Sequence, residues 1–273
     1  MATILRLIRG PNLLIAAAGV LAGGWIALGR IALPKELLSA AISGLALGAV
    51  GNTWNDIRDV AADRVNRPRT RPFAAGQISR GVAHLIVFDG AVLGLVFAGL
   101  VSGWLFFFAV AALVVMFVYS PLLKPRPLLG NVAVAVVAGS PPFYGALALG
   151  APAAGAVPWV LAALLHFVRE VVKDVEDEPG DRAIGRRTVP IALGRRPALV
   201  VAASVALLFV PASLLLPRNA GYGGAYFVIA LGAQMAVLVA ATWLLLGRVE
   251  RVSLLLKGAM VVGLIALVAG KVA

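Results

Sequence analysis

Three aspartates spaced Asp56-x-x-Asp59-x-x-x-Asp63 recur as Asp174-x-x-Asp177-x-x-x-Asp181, 118 residues further along the chain. Only 12 acidic residues are present in all, and with Glu170, Glu176 and Glu178 nine of them lie in these two stretches. Carboxylates packed this densely repel one another unless cations bind among them. Oxygen ligands of this kind suit Mg²⁺, which keeps some coordination positions for substrate phosphate. Two such sets point to metal ions carrying a polyanion, most simply a diphosphate.

The local pattern predicts how each set is presented. At about 100° per residue, Asp56, Asp59 and Asp63 fall within about 60° of one another on a helix, with Asn55 at the edge of that face. Thr53 and Asn52 add neutral oxygens nearby, and nothing before Pro68 breaks the helix. In the second stretch Asp174 and Asp177 share a helix face with Glu170 and Lys173 nearby. Pro179-Gly180 predicts a helix end, so that Asp181 reaches the site from a loop. Arg64, Arg67, Arg69, Arg71 and Arg80 follow the first motif, and Arg182, Arg186, Arg187, Arg195 and Arg196 follow the second. Arginine forks match phosphate oxygens and would stabilise charge on a departing diphosphate. Arg67, Arg71 and Lys173 are the candidates for that role.

The elements that must position these groups are membrane helices. The chain is 61% hydrophobic and 13% charged, with a mean hydropathy of +0.98. Long apolar runs separated by short charged stretches predict an all-α polytopic bundle, with nine transmembrane helices around a central cavity. The spans are expected near 12–31, 35–55, 81–101, 103–121, 128–149, 157–175, 197–217, 224–246 and 253–271. The third and fourth are joined by little more than Ser102-Gly103, which predicts a tight antiparallel hairpin. Residues 1–273 then read as a single membrane-embedded domain. A net charge of +12 would otherwise raise nucleic acid as a partner, but its distribution argues against that. In the nine-span arrangement 20 of the 24 Lys and Arg fall on one side of the bilayer. The positive-inside rule makes that side cytoplasmic, with the N-terminus and both acidic motifs on it. Cysteine is absent, which removes disulfides, thiolate metal sites and a cysteine nucleophile.

The run from Asn55 through Asp63, Asn66, Arg67, Pro68, Arg71 and Pro72 to Gly76 resembles the first signature of the UbiA superfamily of intramembrane prenyltransferases. Arg169 to Asp181, followed by Thr188 and Pro190, resembles the second. Tyr119-Ser120-x-x-Leu123-Lys124 is similar to a further family element. Lys173-Asp174-Val175-Glu176-Asp177 and Gly130-Asn131 are closest in wording to the ether-lipid branch, the geranylgeranylglycerol-phosphate geranylgeranyltransferases. The resemblance implies a polyprenyl diphosphate donor and a lipid-like prenyl acceptor. Mg²⁺ would be held by Asn55, Asp59, Asp63, Asp177 and Asp181, with Asp56 and Asp174 assisting. Ionisation toward an allylic cation would be shielded from water by the helix bundle. Tyr119 would contact the diphosphate or the cation, or else anchor the span in the aromatic belt.

Two other readings fit the same residues. An aromatic acceptor, as in quinone, haem or chlorophyll pathways, keeps the chemistry and changes the pocket. A divalent-cation transporter would also use buried carboxylates, but transporters place them near the bilayer midplane, whereas both motifs here lie at span ends. Asp89, inside the third span, is costly there but stands apart from both motifs. His84 and His166 are solitary and show no metal-ligand spacing.

Overall fold

The computed structural model describes residues 2–272, and among them there are helices and no strands. A short α1 (Ala2–Leu7) leads into α2 (Gly10–Leu28) and α3 (Lys35–Arg58). The helices α4 (Val60–Asn66), α5 (Arg80–Gly99) and α6 (Gly103–Val118) follow. A π-helical turn, Tyr119–Leu123, separates α6 from α7 (Leu129–Gly139) and α8 (Pro141–Ala148). The second half contains α9 (Pro152–Ala183), α10 (Val189–Leu193), α11 (Arg195–Asn219), α12 (Gly224–Leu245) and α13 (Val252–Ala269).

Among the described residues eight helices are long and apolar enough to cross a membrane. The fifth expected span, 128–149, is instead a broken pair, α7 and α8, bent by 44°. The break falls at Ser140, between Gly139 and the Pro141-Pro142 dipeptide. Neither proline has an N–H for the preceding turn, and each ring crowds the carbonyl four residues back. The hairpin at Ser102 forms as expected: the Ser102 hydroxyl accepts from the Leu105 N–H at 3.1 Å and starts α6.

The bundle is apolar outside and small inside, as a lipid solvent requires. Trp104, Leu100, Val228 and Leu14 face outward with most of their surface exposed. Where helices cross closely, glycine is obligatory. A Cβ on Gly23 would fall on the Pro142 carbonyl, and one on Gly145 on the Val20 carbonyl, so α2 and α8 meet backbone to backbone. One buried cluster joins α2, α3, α5, α6 and α8, and a second joins α9 to α13. Contacts of α13 with α2 and α9 close the bundle around a cavity that opens among the motif-bearing ends of α3, α4, α6 and α9.

Both motifs depart from the expected local structure. The first is not one helix: α3 ends at Arg58, Asp59 sits at φ −95°, ψ 5°, and α4 resumes at Val60. The jog redirects the chain, because α3 packs on α2 and α5 whereas α4 packs on α9. The second motif is not interrupted, since α9 runs through Pro179-Gly180 to Ala183 and carries Asp181 on the helix rather than on a loop. Asn66 at the end of α4 accounts for this. Its amide donates to the Asp177 carbonyl at 2.9 Å, and its Oδ1 accepts the Gly180 N–H at 2.8 Å, clamping the turn that contains the proline. Gly180 itself packs so tightly on Asn66 and the Ala62 carbonyl that a Cβ there would clash.

Candidate active site

A cavity of about 330 Å³ lies at the centre of the bundle. Its apolar walls include Val20, Leu47, Phe108, Met116, Val137, Pro142 and Leu264. Its polar end carries Asn55, Asp59, Asp63, Asp174 and Asp177 with Arg71, Lys173 and Tyr119. An amphipathic pocket of this shape suits a ligand with a charged head and a hydrocarbon tail.

The remaining expected residues stand just behind this surface. Asp56 is buried and held by Arg9 at 2.7 Å and Arg71 at 3.4 Å. Asp181 is buried on Arg186 at 3.0 Å, with Lys124 at 4.0 Å. Arg67 pairs with Asp177 at 2.6 Å and Glu176 at 3.6 Å, tying α4 to α9.

Tyr119 and Lys124 enter the pocket from the π-helical turn. Pro121 has no N–H to offer the Phe117 carbonyl, and the indole of Trp54 donates to that carbonyl instead at 3.2 Å. The chain widens, the Lys124 N–H reaches the Tyr119 carbonyl at 2.7 Å, and both side chains line the cavity. The Lys124 ammonium lies 2.6 Å from Asp59, whose other oxygen is 2.9 Å from Arg186. Burial disfavours charge on Asp59, but Lys124 and Arg186 outweigh it and hold the carboxyl below the ordinary carboxylate range. Asp63 goes the other way, up to about 6. Burial acts first; Arg71, 3.7 Å away, offsets part of it, and the Asp56, Asp59 and Asp177 carboxylates add to the rise.

Neutral amides and hydroxyls orient the other ligand candidates. Ser120 donates to Asn55 Oδ1 at 3.1 Å, and Asn131 on α7 donates to Asp174 Oδ2 at 2.8 Å in a buried contact. Glu170 is taken up by Lys173 at 2.9 Å.

Among the described residues no three carboxylate or imidazole groups converge closely enough to hold a metal ion. The chain's own cations explain this: Lys124 and Arg186 stand between Asp59 and Asp181, and Arg71 stands between Asp56 and Asp63. The donor set nevertheless fits a hard cation. Every ligand candidate is an oxygen donor, and the buried Asp56 Oδ2 and Asp181 Oδ2 have no hydrogen-bond partner.

Arg9, Asn66, Lys124, Asn131 and Arg186 were not singled out as site residues from the sequence. Lys124 had a signal in its spacing from Tyr119, and Asn66 had one in its place within the first motif. Arg186 had only its place among the arginines after the second motif, and Arg9 had no signal, because topology alone asks for positive charge in those segments.

The profile of the UbiA prenyltransferase family matches residues 16–256. A digeranylgeranylglyceryl phosphate synthase from Thermococcus kodakarensis is 38% identical over 250 residues, 90% of this chain and 88% of that protein. A solved structure described as giving structural and mechanistic insights into digeranylgeranylglyceryl phosphate synthase in membranes superposes with a TM-score of 0.78. It is 27% identical and covers 99% of this chain and 98% of the other. A UbiA homolog from Archaeoglobus fulgidus, solved bound to GPP and Mg²⁺, shares the fold at a TM-score of 0.66 and 18% identity, covering 98% of each chain. With two acidic motifs meeting over an apolar cavity and a family match spanning most of its length, the chain belongs to the UbiA prenyltransferase family and is a prenyl-transferring enzyme.

Proposed function

We propose that the chain transfers a geranylgeranyl group from geranylgeranyl diphosphate to the free glycerol hydroxyl of geranylgeranylglyceryl phosphate, a step of ether-lipid synthesis. The observation that carries this reading is the cavity itself, acidic and cationic at one end and apolar along the rest. The choice of acceptor is supported by the Thermococcus kodakarensis synthase, which is similar over nine-tenths of this chain. The whole chain acts as one membrane-embedded domain, with the N-terminus and both motifs on the cytoplasmic side, where most of the Lys and Arg gather.

Asn55, Asp59, Asp63, Asp177 and Asp181 are the ligands we assign to Mg²⁺, with Asp56 and Asp174 supporting them. When bound, the metal neutralises the diphosphate and makes it a better leaving group. Arg67, Arg71, Lys173 and Tyr119 are the residues first expected to serve the leaving group, and Arg71 and Tyr119 line the polar end beside the carboxylates. Lys124 joins them, since ligation of Asp59 by metal would free its ammonium for phosphate oxygens. The C1–O bond breaks with its electron pair left on the diphosphate, and the glycerol oxygen bonds to C1. The hydroxyl proton passes to the released diphosphate. Phe108, Met116 and Leu264 exclude water from the allylic cation and direct it to the intended nucleophile.

Detergent-purified protein incubated with Mg²⁺, labelled geranylgeranyl diphosphate and geranylgeranylglyceryl phosphate should yield a labelled diether phosphate. Transfer to 4-hydroxybenzoate or a naphthoate instead would move the chain to the aromatic-acceptor branch of the family. Absence of transfer to either acceptor would overturn both acceptor readings.

A further inference from the structure

Charge is distributed unevenly around α9. Successive residues on a helix are about 100° apart, so Lys173 and Asp174 face different neighbours. Asp174 turns toward α7, where Asn131 holds it. Lys173 and Arg169 occupy the other flank, toward α13, where Arg169 Nε donates to Ser253 Oγ at 3.2 Å. Lys257, on α13, lines the same cavity and sits within the electrostatic reach of Arg169, Lys173 and Arg9.

Arg9 is already engaged by Asp56, which leaves Arg169 and Lys173 sharing Glu170, with Glu176, held by Arg67, further off. Lys257 itself makes no ion pair or hydrogen bond among the described residues. His166 Nδ1, one turn before Glu170 on the cavity wall, is buried with no hydrogen-bond partner. Unneutralised cations inside a membrane bundle are costly and are retained where they meet a ligand. With Glu176 taken by Arg67, three cations against the one remaining carboxylate leave an excess of two positive charges, which matches the roughly −1.5 to −2 charge of a phosphomonoester.

We propose that Arg169, Lys173 and Lys257 form a second anion subsite, distinct from the carboxylate site, that binds the phosphomonoester of the prenyl acceptor. This rests on the reading of the acceptor given above. It moves Lys173 from the leaving diphosphate to the acceptor's headgroup. Donor and acceptor heads then lie on opposite flanks of α9, and the two hydrocarbon tails share the apolar end of the cavity. The arrangement also gives specificity, because an acceptor without a phosphate leaves three cations unpartnered.

Lys257→Met, which conserves volume and removes only the charge, should raise KM for geranylgeranylglyceryl phosphate by roughly tenfold or more, with donor KM changed less than about twofold. Lys257→Arg should recover most of the loss, and Lys173→Gln should behave like Lys257→Met. Acceptor binding measured in EDTA without donor separates this subsite from the metal-dependent one and from turnover. Wild type should bind the phosphorylated acceptor at least ~10-fold more tightly than geranylgeranylglycerol, and Lys257→Met should abolish that preference. Tight phosphate-dependent binding in EDTA without turnover would leave the subsite standing and overturn the proposed reaction. A raised donor KM with unchanged acceptor KM would assign the cluster to the diphosphate. Equal competition by phosphatidylglycerol would make it a membrane-lipid site, and equal binding of the phosphorylated and dephosphorylated acceptors would remove the subsite altogether.

Discussion

The two acidic motifs have one spacing and two structures. Asp56, Asp59 and Asp63 are split across a jog between α3 and α4, and all three are buried. Asp174, Asp177 and Asp181 ride on one continuous helix, although a proline and a glycine lie between the second and the third. The difference shows that spacing selects the ligand types while the partners of each residue select the geometry. In the first motif, charged side chains grip all three aspartates directly. In the second, Arg186 holds Asp181 and Asn131 holds Asp174, the amide of Asn66 grips the backbone around the proline, and Asp177 remains partly open beside Arg67.

That contrast is tested most severely by removing one aspartate from each motif. Asp59→Ala and Asp177→Ala should each lower kcat by about 10²–10³-fold or more, because each removes a proposed metal ligand. Their effects on folding should differ. The Asp59, Lys124 and Arg186 side chains are 6%, 11% and 9% exposed, so Asp59→Ala leaves two buried cations to share Asp181 alone, which lies 4.0 Å from Lys124. A loss of about 3–5 kcal/mol is expected in metal-free detergent solution. Asp177 and Arg67 are 18% and 28% exposed, and breaking that pair should cost about 0–1 kcal/mol. Thermal unfolding of both variants in EDTA checks this, and equal losses would mean that the two motifs are held in the same way.

The clamp at the second motif gives the next effect in size. Gly180→Ala drives a methyl into Asn66 and the Ala62 carbonyl, an overpacking worth about 1–3 kcal/mol. Asn66→Asp keeps an acceptor for the Gly180 N–H but sets a carboxylate oxygen against the Asp177 carbonyl, at a similar cost of about 1–3 kcal/mol. Both variants should lose activity through misplacement of Asp181 while leaving Asp59 on Lys124. A crystal structure of either variant with Asp181 unmoved would show that α9 does not need the clamp.

Much of this architecture could be read from composition. Apolar run lengths and the asymmetry of Lys and Arg set the number of spans, and eight of the nine are single helices. The break at Gly139-Ser140-Pro141-Pro142 had a visible cause in its two prolines, but a hydropathy window averages over it. The helix through Pro179-Gly180 was illegible for another reason. Local rules end a helix there, and only a side chain from α4, more than 100 residues earlier, overrides them. The jog at Asp59 is of the same kind, since Lys124 and Arg186 come from after α6 and after α9. The spacing revealed which residues carry the acid, whereas their cationic partners were masked by the topological demand for positive charge.

The smallest effects should come from the groups that orient a ligand without touching the substrate, and they sharpen the contrast between the motifs. Ser120→Ala frees Asn55 Oδ1, and Asn131→Ala frees Asp174 Oδ2. Losing an orienting partner of a metal ligand typically costs about 10–100-fold in metal affinity. Asn55 has a neutral amide whose rotation water can satisfy, so Ser120→Ala should fall at or below the low end, about tenfold. Asp174 is buried beside Glu170, and without Asn131 its carboxylate has lost its neutral donor in a site already crowded with negative charge. Asn131→Ala should therefore raise the Mg²⁺ concentration giving half-maximal transfer more than Ser120→Ala does. The reverse order would mean that the first motif, not the second, depends on neutral hydrogen bonds for its geometry, and the division of labour between the two would have to be redrawn.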